Sequence, residues 1–377
     1  MNIRKYIDID WMLFLSTIPL LAAGLITMNT LGVSTGDKYF FSRQIIWIAV
    51  SLFVFFSFSF VDWRFLKKSE ILMTLLLFFV AILVFLFVFG KIIRGASSWL
   101  ETSFFAIQPS DPLKLVIILI LAKYFSRRHI EIADVRHIII SGVYVFIPAV
   151  LVFLQPDFGS AIVLFLIWFG MILVSGVNKK HLLIIFLIGA LVLGVCWFFV
   201  FKPYQKQRIL TFLHPLADIR GAGYNAFQST IAVGSGQILG KGIGFGTQSR
   251  LEFLPEHQTD FIFAAFAEEW GLLGVFFIFS FFGIVIYRIL KIAFFGQSNF
   301  ESLFGIGLAI FLMAHFTIHV GMNIGLLPVT GLGMPFMSYG GSNLVTVFAG
   351  LGILMGMRRY GREAHREDAA AEFLGSR

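Results

Sequence analysis

The chain has 377 residues, of which 58% are hydrophobic and only 13% charged, with a mean hydropathy of +0.88. Soluble globular domains carry about 25% charged residues, so this composition excludes one and places the chain in lipid, where a spanning helix needs roughly 20 mostly apolar residues. The formal net charge of +8 does not point to nucleic acid, because Lys and Arg fall in short clusters between apolar runs rather than on one basic face.

Residues 1–10 carry Arg4, Lys5, Asp8 and Asp10, and no small-residue cleavage site follows the first apolar run. That run is therefore expected to stay as an anchor. Apolar runs appear at 11–28, 45–60, 71–89, 112–125 and 138–154, then at 160–177, 182–200, 261–289, 303–320 and 343–357. The expectation is an all-α polytopic membrane protein of about ten transmembrane helices, forming a single membrane domain over 1–377. With the N-terminus inside, the inner connections collect Arg64, Lys67, Lys68, Arg127, Arg128, Lys179, Lys180, Arg288, Lys291, Arg358 and Arg359 among others. The short outer ones hold only Lys38, Arg43, Lys91, Arg94 and Lys114. This asymmetry follows the positive-inside rule and puts both termini in the cytoplasm. One connection is long: 202–259, between spans seven and eight, is polar and Gly-rich and falls on the outer side. Loops of that length are usually functional or disordered, and the residues of 224–238 predict short helices lying on the outer face. A mixed-charge tail, 358–377, ends the chain. The single cysteine, Cys196, lies inside the seventh run, which excludes an intramolecular disulfide and a cysteine metal site.

Nucleotide-binding glycine patterns, His-Glu-x-x-His and Gly-x-Ser-x-Gly are all missing. What remains is a set of carboxylates and cations at the outer ends of spans. Thr259 reads as the N-cap of the eighth span and Asp260 as a residue of its first turn, where the helix dipole favours the ionised form. Such a carboxylate can accept a proton, or can be a plain first-turn acid. Glu268 and Glu269 fall about 12 Å deeper along the same helix, where carboxylates need partners, either for chemistry or for helix packing. Asp111 and Lys114 share a helix face at the start of the fourth span, and Asp157 follows Gln155-Pro156 at the start of the sixth. Together with Arg208 they suit a site that handles a hydroxyl and an anionic headgroup. His315 and His319, one helical turn apart, lack a third metal ligand in view and read as interhelical hydrogen bonding. The Pro- and Gly-rich stretch 327–342 is broken backbone at a membrane end, tolerated where it is buried or lines a cavity.

These segments closely resemble the SEDS family of bacterial cell-wall proteins. The resemblance is carried by Gln248-Ser249-Arg250-Leu251-Glu252-Phe253-Leu254-Pro255-Glu256, by Thr259-Asp260-Phe261-Ile262-Phe263, by Glu268-Glu269, and by the stretch from Pro328-Val329-Thr330-Gly331 to Ser338-Tyr339-Gly340-Gly341-Ser342. It extends over nearly the whole chain, and the elongation-type members are the nearest match. It implies a ten-span peptidoglycan glycosyltransferase of the bacterial cytoplasmic membrane that polymerises lipid II at the outer face. The family's essential aspartate falls on Asp260, which deprotonates the acceptor's 4-hydroxyl for attack on the anomeric carbon of the donor's N-acetylmuramic acid. Undecaprenyl pyrophosphate leaves, with Arg208 and Lys114 placed to neutralise it. Asp111, Asp157, Gln228, Ser229 and Ser338 complete the expected substrate-binding set. A divalent cation, magnesium or manganese, has room to share the neutralisation, no nucleotide cofactor is implied, and the partner is a class B penicillin-binding protein. A helix N-terminus makes a carboxylate a weak base, which burial or a metal-bound hydroxyl would ease. The rival readings are a lipid II flippase, with Glu268 and Glu269 on its path, and a non-catalytic scaffold of the elongation machinery. The chain departs from the family pattern at Asp111, where Glu is usual, at His319, where Asn is common, at Ser98, where Arg is common, and at His257-Gln258 before Thr259.

Overall fold

A computed structural model describes residues 9–35, 39–89, 99–101, 106–126, 135–176, 179–199, 201, 203–214, 223–251, 253–254 and 256–374. Arg4, Lys5, Lys38, Lys91, Arg94, Ser98, Arg127, Arg128, Glu252 and Pro255, all used in the sequence reading, lie outside the described residues.

Among the described residues, every apolar run forms a helix. In chain order these are α1 (Trp11–Thr35), α2 (Tyr39–Ser59), α3 (Ser69–Phe89), α4 (Ser110–Ser126), α5 (Val135–Leu154), α6 (Phe158–Val174) and α7 (Lys179–Phe199). The long connection folds into α8 (Pro203–Leu213), α9 (Tyr224–Ser235) and α10 (Thr247–Arg250), and α11 (Ile262–Phe294), α12 (Asn299–Asn323) and α13 (Gly341–Leu374) complete the chain. Among the described residues, seven helices are long and apolar enough to cross a membrane: α1, α2, α3, α5, α11, α12 and α13. The protein is thus a helical, polytopic membrane protein. One feature departs from an all-helical chain: a two-stranded antiparallel hairpin, β1 (Leu100–Glu101) with β2 (Ala106–Ile107), precedes α4 and pairs Leu100 with Ile107. The expected tail is helical as far as Leu374, because α13 runs on past the apolar stretch.

α12 is the central post, in contact with α4, α6, α11 and α13. Its Gly305 and Gly307 let neighbours approach closely; a Cβ at Gly307 would meet Ile118 at 2.6 Å. In lipid, where there is no apolar driving force between helices, such small-residue contacts carry much of the association. α13 packs along α2, and α1 lies between α2 and α11.

α11 is not one continuous helix. Gly271 adopts φ 64° and ψ −166°, a conformation open to glycine alone, and the groups freed there are taken up by the connection before it. Leu272 and Leu273 donate their N–H groups to the carbonyls of Gln237 and Ile238 (2.9 and 3.1 Å), while Lys241 and Gly242 donate to the carbonyls of Glu268 and Glu269 (both 3.0 Å). A broken backbone inside the apolar span is possible because a second segment satisfies it.

The far end of the bundle is held by ion pairs. Asp10, almost wholly buried, takes hydrogen bonds from Arg288 of α11 and Arg358 of α13. Burial pushes its carboxyl upward, but the Arg288 hydrogen bond, the Leu13 N–H and the Arg358 charge outweigh that and hold it below the ordinary carboxylate range.

Candidate active site

α4 and α6 have 17 residues each, about 25 Å at 1.5 Å per residue, less than the ~30 Å thickness of hydrocarbon. A cavity of about 550 Å³ opens where their N-termini stop short. Its lining includes Gln108, Asp111 and Lys114 at the start of α4, Asp157 and Ser160 at the start of α6, Arg208 of α8, Thr259 and Asp260 ahead of α11, His315 of α12, Ser338 from the segment leading into α13, and Asn343 of the first turn of α13. Six of the eight residues expected to form the site (Asp111, Lys114, Asp157, Arg208, Asp260 and Ser338) therefore share one cavity, drawn from positions as far apart in sequence as 111 and 338.

Lys114 and Asp111 form a buried ion pair, Nζ to Oδ1 2.9 Å, with side chains 1% and 5% exposed. Taking both charges out of water is costly unless they meet each other or a ligand, and their sharing of one helical turn fixes the contact. Lys114 Nζ also stands 3.4 Å from His315 Nε2. Asp157 caps α6 by accepting the Ser160 N–H at 3.0 Å, and its other oxygen accepts from Gln108 Nε2 at 2.6 Å. Burial pushes the Asp157 carboxyl above its ordinary range, against the pull of the Lys114 charge and the Ser160 N–H. It is accordingly a weaker rival for the nearby cations than an open aspartate would be.

Asp260 does not sit where the sequence reading put it. α11 begins at Ile262, its N-cap position is Phe261, and Thr259 does not cap it. Instead, 256–261 closes into a turn in which the N–H groups of Thr259, Asp260 and Phe261 all converge on the carbonyl of Glu256, at 3.0–3.2 Å. Glu256 has φ 51° there. The capping role passes to a residue of another helix: Asn323 at the end of α12 accepts the Ala264 N–H through Oδ1 (3.1 Å) and donates Nδ2 to the Asp260 carbonyl (3.0 Å). Asp260 thus precedes the helix by two residues rather than standing in its first turn. Its Oδ2 would stand 3.7 Å from a Cβ built on Gly331, so a side chain at that position would pack against the carboxylate.

Ser338 lines the cavity but spends its hydroxyl on the scaffold. It donates to the Thr259 carbonyl and accepts the Met334 N–H, both at 2.7 Å, which ties the 334–338 segment to the residue beside Asp260. Gln228 and Ser229 lie on α9, outside the cavity lining. Ser229 is fully buried and donates to the Asn323 carbonyl at 2.8 Å, so it supports the residue that positions Asp260. Glu268 and Glu269 also lie outside the lining. Glu268 accepts Lys241 Nζ at 2.7 Å and the N–H groups of Thr247 and Gln248 at 2.8 and 3.0 Å; Glu269 accepts the Gly244 N–H and the Thr30 hydroxyl at 3.1 and 3.2 Å. These deep carboxylates anchor the connecting segment, the packing alternative weighed from sequence. His319 is buried, with Nδ1 2.7 Å from the Leu332 carbonyl. Among the described residues no three His, Cys, Asp or Glu side chains are grouped to hold a metal ion. Sequence reasoning missed Gln108, Asn323 and Asn343, whose roles arise only from contacts between distant segments.

Comparison with known proteins places this geometry. A family model described as "Cell cycle protein" (FtsW/RodA/SpoVE) matches residues 8–363. The peptidoglycan glycosyltransferase MrdB of Escherichia coli K12 is 38% identical over 281 residues, 74% of this chain and 76% of the relative. Stage V sporulation protein E of Bacillus subtilis is 34% identical over 363 residues, covering 94% of this chain and 98% of its own. Among solved structures, a chain from a study of how a peptidoglycan synthase complex coordinates polymerization and crosslinking superposes with TM-score 0.79 at 30% identity, covering 93% of this chain and 98% of that one. The crystal structure of the rod shape determining protein RodA of Thermus thermophilus gives TM-score 0.69 at 27% identity, covering 93% and 97%. The chain belongs to the FtsW/RodA/SpoVE family of membrane proteins, the SEDS family.

Proposed function

We propose that this protein is a peptidoglycan glycosyltransferase that polymerises lipid II during cell elongation, with Asp260 as general base. The observation that carries the reading is the single cavity that joins the Asp260 carboxylate to Lys114 and Arg208 at one end of the bundle. Asp260 takes the proton of the acceptor's 4-hydroxyl. The alkoxide oxygen forms the new bond to the anomeric carbon of the donor, the bond from that carbon to the pyrophosphate oxygen breaks, and undecaprenyl pyrophosphate departs with the electron pair. Lys114 offers a point charge and Arg208 a fork to the phosphate oxygens as their charge grows. Asp111 keeps Lys114 in place.

A divalent cation fits this donor set only in part. Asp111 and Asp157 are already engaged by Lys114, Gln108 and Ser160, so a magnesium or manganese ion would rest on Asp260 and the substrate's phosphates, the usual mode for a hard cation with few protein ligands. When bound it would add charge neutralisation at the pyrophosphate.

The seven long helices together with α4, α6 and α7 make ten crossings, with the folded connection 202–259 between the seventh and eighth. Arg64, Lys67, Arg288, Lys291 and Arg358 gather at the end opposite the cavity, which supports cytoplasmic termini and an outward-facing site. The partner is a class B penicillin-binding protein whose anchor helix would lie on exposed apolar surface such as Leu272, Leu273 and Phe276 of α11. The flippase reading loses its motive, because Glu268 and Glu269 are bound into the scaffold rather than set along a path. Polymerisation of purified lipid II by the protein with its cognate partner tests the proposal, and a scaffold would make no polymer.

A further inference from the structure

Lys114 is an ammonium on a flexible four-carbon stem, yet it is fully buried at the cavity wall. It has three N–H groups and no acceptor. One is taken by Asp111 Oδ1 at 2.9 Å and a second points at His315 Nε2 at 3.4 Å, which leaves one for the cavity. Because Lys114 only donates, the His315 nitrogen facing it carries the lone pair, and the proton of the neutral ring sits on Nδ1. That N–H needs an acceptor. The Gly333 carbonyl lies at 3.5 Å and the amide of Asn343 at 3.4 Å. With Asn343 Nδ2 toward the ring, Asn343 Oδ1 is buried without a partner; exchanging the two amide atoms, which share one shape, turns the oxygen to the ring as the acceptor of the Nδ1–H.

We infer that His315 is a positioning residue that holds Lys114 together with Asp111, and that Asn343 fixes the tautomer that lets it do so. The chain Asn343–His315–Lys114 aims the remaining ammonium N–H into the cavity, so the cation is ordered before substrate arrives rather than at its expense. The ordinary alternative is a histidine that merely joins two helices. Against it stand three facts: His315 lines the cavity, its Nε2 faces the buried cation, and His319 one turn away, bonded to the Leu332 carbonyl, supplies the plain structural contact. The inference rests on Lys114 as the contact for the departing pyrophosphate.

The test is lipid II polymerisation by the purified full-length protein with its partner, run on His315→Gln, His315→Leu, Asn343→Leu and Lys114→Met, and on His315→Leu combined with Lys114→Met, each checked for monodispersity and thermal unfolding. Gln keeps an acceptor where Nε2 stood. Losing a hydrogen bond to a charged group should lower kcat/KM at least about tenfold in His315→Leu, while His315→Gln recovers to within about threefold of wild type. Asn343→Leu should fall between them. In the Lys114→Met background, His315→Leu should cost little more, because a residue acting through another has nothing left to act on. If Lys114→Met does not fold, the Gln against Leu comparison decides. A His315→Gln as impaired as His315→Leu, a fully active His315→Leu, or costs that multiply in the double variant would each overturn the inference. Full activity of Lys114→Met alone would instead strike the leaving-group role of Lys114.

Discussion

The position of Asp260 depends on a side chain 63 residues away in sequence. Asn323 is fully buried, caps α11 through Ala264 and holds the Asp260 carbonyl, so one amide both ends a helix and aims the candidate base. Asn323→Ala should lower stability by about 1–2 kcal/mol, the worth of a helix cap, and should lower kcat by more than that loss of folded protein explains; thermal unfolding and polymerisation rate measured on the same preparation separate the two. Asn323→Asp keeps the acceptor for Ala264 but cannot donate to the Asp260 carbonyl, and it adds a charge beside it, so it should recover stability better than activity. At the opposite end, Asp10 gives a prediction in pH. Its folded pKa lies below the unfolded value of about 3.8, so its contribution to stability is complete above that value and is lost as pH falls through the folded one. The unfolding temperature of Asp10→Asn should therefore trail wild type at pH 7 and converge on it as the pH falls through the acid range. A constant gap down to the lowest pH at which both remain folded would contradict the ion-pair account.

Among the elements, α11 and the connection before it depend on each other. Gly240, at φ 80°, approaches so closely that a Cβ would stand 2.1 Å from the Glu269 carbonyl, whereas a Cβ on Gly234 meets nothing within 4 Å. Gly240→Ala should thus be strongly destabilising and Gly234→Ala neutral or stabilising by up to about 1 kcal/mol, since the latter sits in a helix. Glu268→Gln removes the charge that gathers Lys241, Thr247 and Gln248. Amide exchange in 241–249 should rise in that variant, while α12, which supplies none of these hydrogen-bond partners of Glu268, keeps its protection. This is also where the sequence stopped being readable. Each apolar run announced its helix, because lipid demands an unbroken stretch of apolar residues. Gly271 sits inside such a stretch with helix-forming residues on both sides, and only the contact with 237–242 reveals the break. The same holds for the start of α11: Thr259-Asp260 looks like a cap by local rules, and the true cap comes from α12.

Across the whole molecule, the ends of short helices define where chemistry can occur. Asp111, Lys114 and Asp157 were visible in the sequence as polar residues at the edges of apolar runs, and α4 and α6 stop early enough to leave them around a cavity rather than in lipid. Gln228 and Ser229 entered the expected set through the family resemblance, but α9 turns Ser229 toward Asn323 and not toward the cavity, an orientation that no local pattern encodes. The Lys114–His315 contact joins residues 201 positions apart, so it too lay beyond sequence periodicity. The claim that unites these scales is that the carboxylate of Asp260 performs the chemistry. It is tested most directly by following glycan polymerisation from purified lipid II, with the cognate penicillin-binding protein present, for wild type, Asp260→Ala and Asp260→Asn, after both variants are shown to fold and bind the partner. The account predicts polymer from wild type and a loss of at least about a hundredfold in both variants, the scale on which general bases act. Polymer from either variant at the wild-type rate would contradict it and move the search for the base to the other carboxylates of the cavity, Asp111 and Asp157.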